Sequence, residues 1–192
     1  MIEQNCVLLD TSFFIRLLNE ADPLHDNALD YFRYFLEHDF VVKVSTIAIA
    51  EYCVRGDVDE LPLKNMLVIP FNYDHAIRAG KMIGEVYAEK QRRGAKITPR
   101  TVVPNDTKMF AQADVEPDVN FYGTADVECK KVYDMIVSIG ESRIVRLDKV
   151  LYLCTVILNF QIMVQGKKHL NCKPKFAEVV IGDNEAKKMC ES

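Results

Sequence analysis

The sequence predicts an α/β protein built on a central, mostly parallel sheet flanked by helices. Short β-branched or apolar runs alternate with segments of helical spacing from Val7 to Ile139, the pattern of parallel strands joined by crossover helices. Three of those runs end at hydroxyl residues with an acid close behind, and in open α/β sheets ligands gather at that edge. Nearly half of the 192 residues are apolar, which is enough to bury a sizeable core without cross-links.

Taken in order, residues 7–9 form a buried strand that delivers Asp10 to its C-terminal end, and Phe13 to Leu18 begins a short helix that should stop before Pro23. Asp10 is equally suited to cap that helix. Residues 24–37 carry Leu24, Ala28, Leu29, Phe32, Phe35 and Leu36 at the 3.6-residue period of an amphipathic helix. Residues 40–45 are a second strand ending at Ser45 and Thr46, and a small-residue helix then carries Glu51 about one turn in. Residues 66–70 are expected to be a further buried strand. Residues 74–90 should form a helix with Ala76, Ile77, Gly80, Ile83, Val86 and Tyr87 inward, broken by the densest basic cluster in the chain, Lys90-Gln91-Arg92-Arg93-Gly94-Ala95-Lys96. Such a cluster suits a solvated helix end, where cations face the negative pole of the dipole, and also a grip on phosphate.

Pro104-Asn105-Asp106 reads as a helix start, with Asn105 or Asp106 as cap and Met109, Phe110 and Ala113 on the apolar face. Residues 119–124 are the next strand, followed by Ala125-Asp126 on the turn and a helix over 127–139 with Val132, Met135, Ile136 and Ile139 inward. From Gly140 onward the apolar runs lose clear periodicity and read as extra strands or a buried helix. The expected organisation is therefore residues 1–140 as one domain, with 141–192 as a C-terminal extension.

Composition narrows the function. The six cysteines and four histidines are dispersed with no close pair of cysteines, which argues against a zinc site and against a disulfide framework. With no basic-then-apolar leader pattern and no apolar run long enough to span a bilayer, the expected setting is a reducing cytoplasm without membrane contact. A formal charge of −4 excludes nucleic-acid binding by bulk charge, so any such contact needs a local basic patch or bridging cations. Carboxylates gathered at one sheet edge repel one another unless cations lie between them. Hard oxygen ligands select Mg²⁺ or Mn²⁺, and acids with such a cation are suited to phosphodiester hydrolysis.

Four segments carry a resemblance. Leu9-Asp10-Thr11-Ser12, Ser45-Thr46 through Ala50-Glu51, Pro104-Asn105-Asp106 with Ala111 and Ala113, and Thr124-Ala125-Asp126 are similar, in order and spacing, to the acidic motifs of the PIN-domain nucleases, particularly VapC-like ribonuclease toxins. The resemblance covers the first two-thirds to three-quarters of the chain. It implies a PIN-like three-layer fold, a Mg²⁺ or Mn²⁺ site held by Asp10, Glu51, Asp106 and Asp126, and cleavage of RNA or single-stranded nucleic acid. Ser12 and Thr124 would orient the acids or a bound water, and charge and position suggest Arg92, Arg93 and Lys96 as the residues that hold the substrate backbone. The implied partners are an RNA substrate and a small antitoxin protein, with a homodimer left open. The tail departs from a minimal toxin, and Asp114 stands close enough to the third motif to compete as a ligand.

Two other functions fit parts of this pattern. A haloacid-dehalogenase-like phosphotransferase also begins with a strand ending in Asp, but needs a second Asp where Ser12 stands. A catalytically idle PIN-fold RNA-binding or scaffold protein would keep the strands, although a buried acid cluster is costly without a cation.

Overall fold

The computed structural model describes residues 5–92, 105–126, 129, 133, 136 and 149–152. Five parallel strands form one sheet: β1 (Cys6–Leu9), β2 (Val41–Ser45), β3 (Leu67–Ile69), β4 (Phe121–Thr124) and β5 (Lys149–Tyr152), in the order β3-β2-β1-β4-β5. Helices α1 (Thr11–Leu18) and α2 (His25–Glu37) link β1 to β2, α3 (Thr46–Tyr52) follows β2, and α4 (Tyr73–Arg92) and α5 (Asn105–Val115) lie between β3 and β4. A parallel sheet flanked by helices is the arrangement the sequence predicts. Residues 149–152, assigned above to the extension, supply the strand beside β4.

The strand order fixes where a site can form. From β1 the chain steps outward to β2 and β3, then returns to the other side of β1 for β4 and β5. Right-handed crossovers in opposite directions put α1 to α3 on one face and α4 and α5 on the other. The reversal falls between β1 and β4, where a crevice opens at the strands' C-terminal ends. Strand β1 is central and buried on both faces, which accounts for its unbroken Cys-Val-Leu-Leu run. The side chain of Leu9 reaches so close to β4 that a Cβ at Gly123 would lie 2.6 Å from Leu9 Cδ2, so glycine gives the two strands room at the crevice floor.

Most boundaries fall within a residue or two of expectation, and four details differ. Helix α1 starts at Thr11, because Asp10 is its N-cap and accepts from the Phe13 amide. Strand β3 is an edge with Leu67 and Val68 exposed; only Ile69 is buried. Helix α4 continues through Arg92 rather than breaking at Lys90, and its buried stripe is His75, Ala79, Met82, Val86 and Glu89, with Ala76, Ile77 and Gly80 exposed. Counting apolar residues alone misplaces that face, because its two polar members have partners: His75 Nε2 lies 3.2 Å from Glu116 Oε1, and Glu89 pairs with Arg92. Asn105 and Asp106 lie inside α5 rather than capping it.

In the helical turns after β4, Cys129, Tyr133 and Ile136 are buried at i, i+4 and i+7; Val132, Met135 and Ile139 lie outside the described residues. Among the described residues, no helix is long and apolar enough to cross a membrane.

Candidate metal centre

Asp10, Glu51, Asp106 and Asp126 line one open cleft of about 1040 Å³ at the C-terminal edge of the sheet, together with Ser12, Thr11 and Asn105. Each acid arrives by a different local route. Asp10 leaves β1 and caps α1, and its backbone amide donates to the Gly123 carbonyl at 3.0 Å, which ties the β1 exit to β4. Glu51 stands near the C-terminal end of the short helix α3, which Ser45 caps. Asp106 occupies the first turn of α5, where the positive end of the helix dipole favours a carboxylate. Asp126 follows β4, its amide donating to Thr124 Oγ1 at 3.0 Å.

Hydroxyl groups hold this edge together. Ser12 Oγ donates to Asp10 Oδ1 at 2.6 Å and accepts from the Ala125 amide at 2.8 Å, so one side chain joins the ends of β1 and β4. Thr124 Oγ1 lies 3.3 Å from Ser12 Oγ and is fully buried beneath the cleft. Both hydroxyls are hydrogen-bonded to the Asp10 carboxylate. Glu51 is held at both oxygens: Thr11 Oγ1 donates to Oε2 and the Asn105 amide nitrogen donates to Oε1. Lys108 Nζ donates to Asn105 Oδ1 at 3.0 Å, which keeps the amide turned toward Glu51.

The electrostatics are those of crowded acids. Burial pushes the Asp10 carboxyl up to about 6, against hydrogen bonds from Ser12, Thr124 and Phe13 that favour its ionised form. Asp106 rises to about 7, first by burial and then by repulsion from Asp10, Asp126 and Glu51. Ligand atoms of Asp10, Asp106 and Cys129 all lie within 4.8 Å of one another. A buried and a half-buried carboxylate that close, with two more on the same cleft, fit a hard divalent cation, which would replace mutual repulsion with attraction.

The other candidate residues fall elsewhere. Arg92, at the end of α4, pairs with Glu89 at 2.6 Å and is not among the cleft-lining residues. Arg93 and Lys96 lie outside the described residues. Asp114 is held by Arg78 Nε at 2.5 Å with its side chain largely buried, so it is a structural ion pair between α4 and α5 rather than a competing ligand.

Three residues at the centre were given no such role from the sequence. Thr11 and Asn105 each neighbour a motif acid, and that adjacency was the available signal. Cys129 had a fainter one, a helical offset of three residues from Asp126.

No family model matches the sequence, and no curated protein does. Among solved structures, the chain is similar to VapBC2 from Rickettsia felis bound to a DNA fragment from its promoter, with 18% identity, a TM-score of 0.45, and coverage of 66% of this chain and 91% of the other. It is also similar to DNA-bound VapBC from Salmonella typhimurium, with 16% identity, a TM-score of 0.47, and coverage of 79% of this chain and 100% of the other.

Proposed function

We propose that this chain is a divalent-metal-dependent nuclease that hydrolyses phosphodiester bonds of RNA, and that it acts as the toxin of a toxin-antitoxin pair. The observation that carries the nuclease reading is the convergence of four carboxylates, from positions 10, 51, 106 and 126, on one open cleft. Asp10 and Asp106 would be the inner ligands, because their ligand atoms lie within 4.8 Å of each other and burial penalises their ionised forms. Asp126 would complete the acidic wall. Glu51 has both oxygens engaged by Thr11 and Asn105, which suits it to hold α3 and α5 in register and to meet the cation through water.

A bound Mg²⁺ or Mn²⁺ would lower the pKa of a water and offset charge on the phosphate oxygens. The chain's own contribution is placement. Ser12 fixes the Asp10 carboxylate, Thr124 fixes the Asp126 backbone, and the opening of the cleft admits a flexible strand. Arg92, which ends α4, is proposed to grip the substrate backbone together with Arg93 and Lys96. The toxin assignment rests on the motif resemblance and predicts a small antitoxin protein that co-purifies with the chain.

The test is cleavage of single-stranded and structured RNA with Mg²⁺ or Mn²⁺. Asp10→Asn keeps an oxygen for the Ser12 and Phe13 bonds, so the fold should persist. Cleavage should fall by at least about 100-fold, the upper end of what losing an outer-shell partner of a metal costs. Equal cleavage by the folded variant would overturn the assignment and favour the idle RNA-binding protein.

A further inference from the structure

Cys129 has no part in the chemistry above, yet its sulfur is one of the three ligand atoms at the centre of the cluster. The side chain is fully buried with Thr124 and Tyr122 as hydrogen-bond partners, Sγ donating to Tyr122 Oη at 4.0 Å. Four residues on, Tyr133 packs its ring 5.5 Å from that of Phe110 on α5, the helix that carries Asp106. Cys129 and Asp106 are therefore fixed relative to each other by the core.

A thiol beside two carboxylates changes which ions a site prefers. Carboxylates alone suit Mg²⁺ and Mn²⁺, whereas thiolate selects softer ions. We propose that Cys129 is a third protein ligand of the Asp10–Asp106 site, and that it makes the site prefer a zinc-class ion, Zn²⁺ or its substitute Co²⁺, over Mg²⁺. On coordination the Sγ–H bond breaks, the sulfur electron pair goes to the ion and the proton leaves to solvent, with no change in oxidation state. The dispersed cysteines of the sequence argue against a zinc site only when compared with one another; the partners of Cys129 are acids from β1 and α5. The inference rests on the reading of the acid cluster as a cation site.

Co²⁺ titration of the full chain separates the two ideas, because bound Co²⁺ can be counted by equilibrium dialysis while a thiolate ligand adds a near-ultraviolet sulfur-to-cobalt charge-transfer band. The expected result is a saturable band that Cys129→Ser removes. In that variant Zn²⁺ affinity should fall by at least about tenfold, the cost of losing even an outer-shell partner, while Mn²⁺ binding followed by electron paramagnetic resonance persists and reports an intact site. Co²⁺ bound without the band, or with a band that survives Cys129→Ser, would overturn the thiolate ligand and leave the cation site standing. Absence of any bound Co²⁺ or Mn²⁺ would overturn both.

Discussion

At the scale of single residues, Asp10 and Asp106 carry the sharpest consequence. Both hold their protons more tightly when folded, at about 6 and about 7 against an ordinary 3.8, so between pH 4 and 7 the native state binds more protons than the unfolded chain. Stability of the metal-free protein should therefore fall as pH rises through that window, by a total on the order of a few kcal/mol. Urea denaturation at pH 4.5 and 7.5 would show it as a difference between the wild type and a variant carrying Asp10→Asn with Asp106→Asn, in which this slope should be absent. Saturating Mn²⁺ should remove it from the wild type as well, since the ionised acids are then paired. An identical pH profile in wild type and variant would mean that neither acid is raised by its burial in the fold.

At the scale of elements, a half-buried network of ion pairs and hydrogen bonds links β2 and α4 to the end of α5. Lys43, in the middle of β2 and almost fully buried, donates from Nζ to Glu116 Oε2 at 3.1 Å and to Asp118 Oδ1 at 2.7 Å, while His75 of α4 reaches the other Glu116 oxygen. Lys43→Met keeps the apolar stem but strands those carboxylates. Because Asp118 is half exposed, the expected loss is modest, about 1–3 kcal/mol, read from the urea midpoint. An unchanged midpoint would show that the pairs contribute nothing net.

This network also shows why some elements were legible in the sequence and others were not. Strand β1 and helix α2 announce themselves because their buried positions are apolar. The inward face of α4 does not, because His75 and Glu89 are buried with polar partners that come from elsewhere in the chain or from a later turn. Strand β3 looked buried from its Met-Leu-Val-Ile run, but a position at the sheet edge is decided by strand order, which no local pattern encodes.

At the scale of the whole molecule, a chain of net charge −4 must concentrate its attraction for a polyanion. The proposed patch at Arg92, Arg93 and Lys96 gives a definite expectation. Arg92→Ala with Arg93→Ala should weaken binding of a single-stranded RNA and flatten its dependence on salt, by about 0.7 in log–log slope for each phosphate no longer neutralised. A salt slope equal to that of the wild type would return these arginines to the role of a solvated helix end. The four acids were legible as separate motifs because Asp10 and Asp126 follow strands, Asp106 begins a helix and Glu51 lies in the short helix after a strand. Their company was not: the clamp of Thr11 and Asn105 on Glu51 depends on β2 lying beside β1 and on α5 reaching α3, and the approach of Cys129 to Asp10 depends on β4 lying beside β1.

That pairing of β1 with β4 sets a condition on when the cleft can exist. Asp10 is made early in translation, but the Gly123 carbonyl that receives its amide and the Ala125 amide that binds Ser12 come more than a hundred residues later. A growing chain that has reached the end of α4 contains two of the acids and neither of these ties. The acid cluster is thus a product of completed folding, closed by ties between residues more than a hundred positions apart.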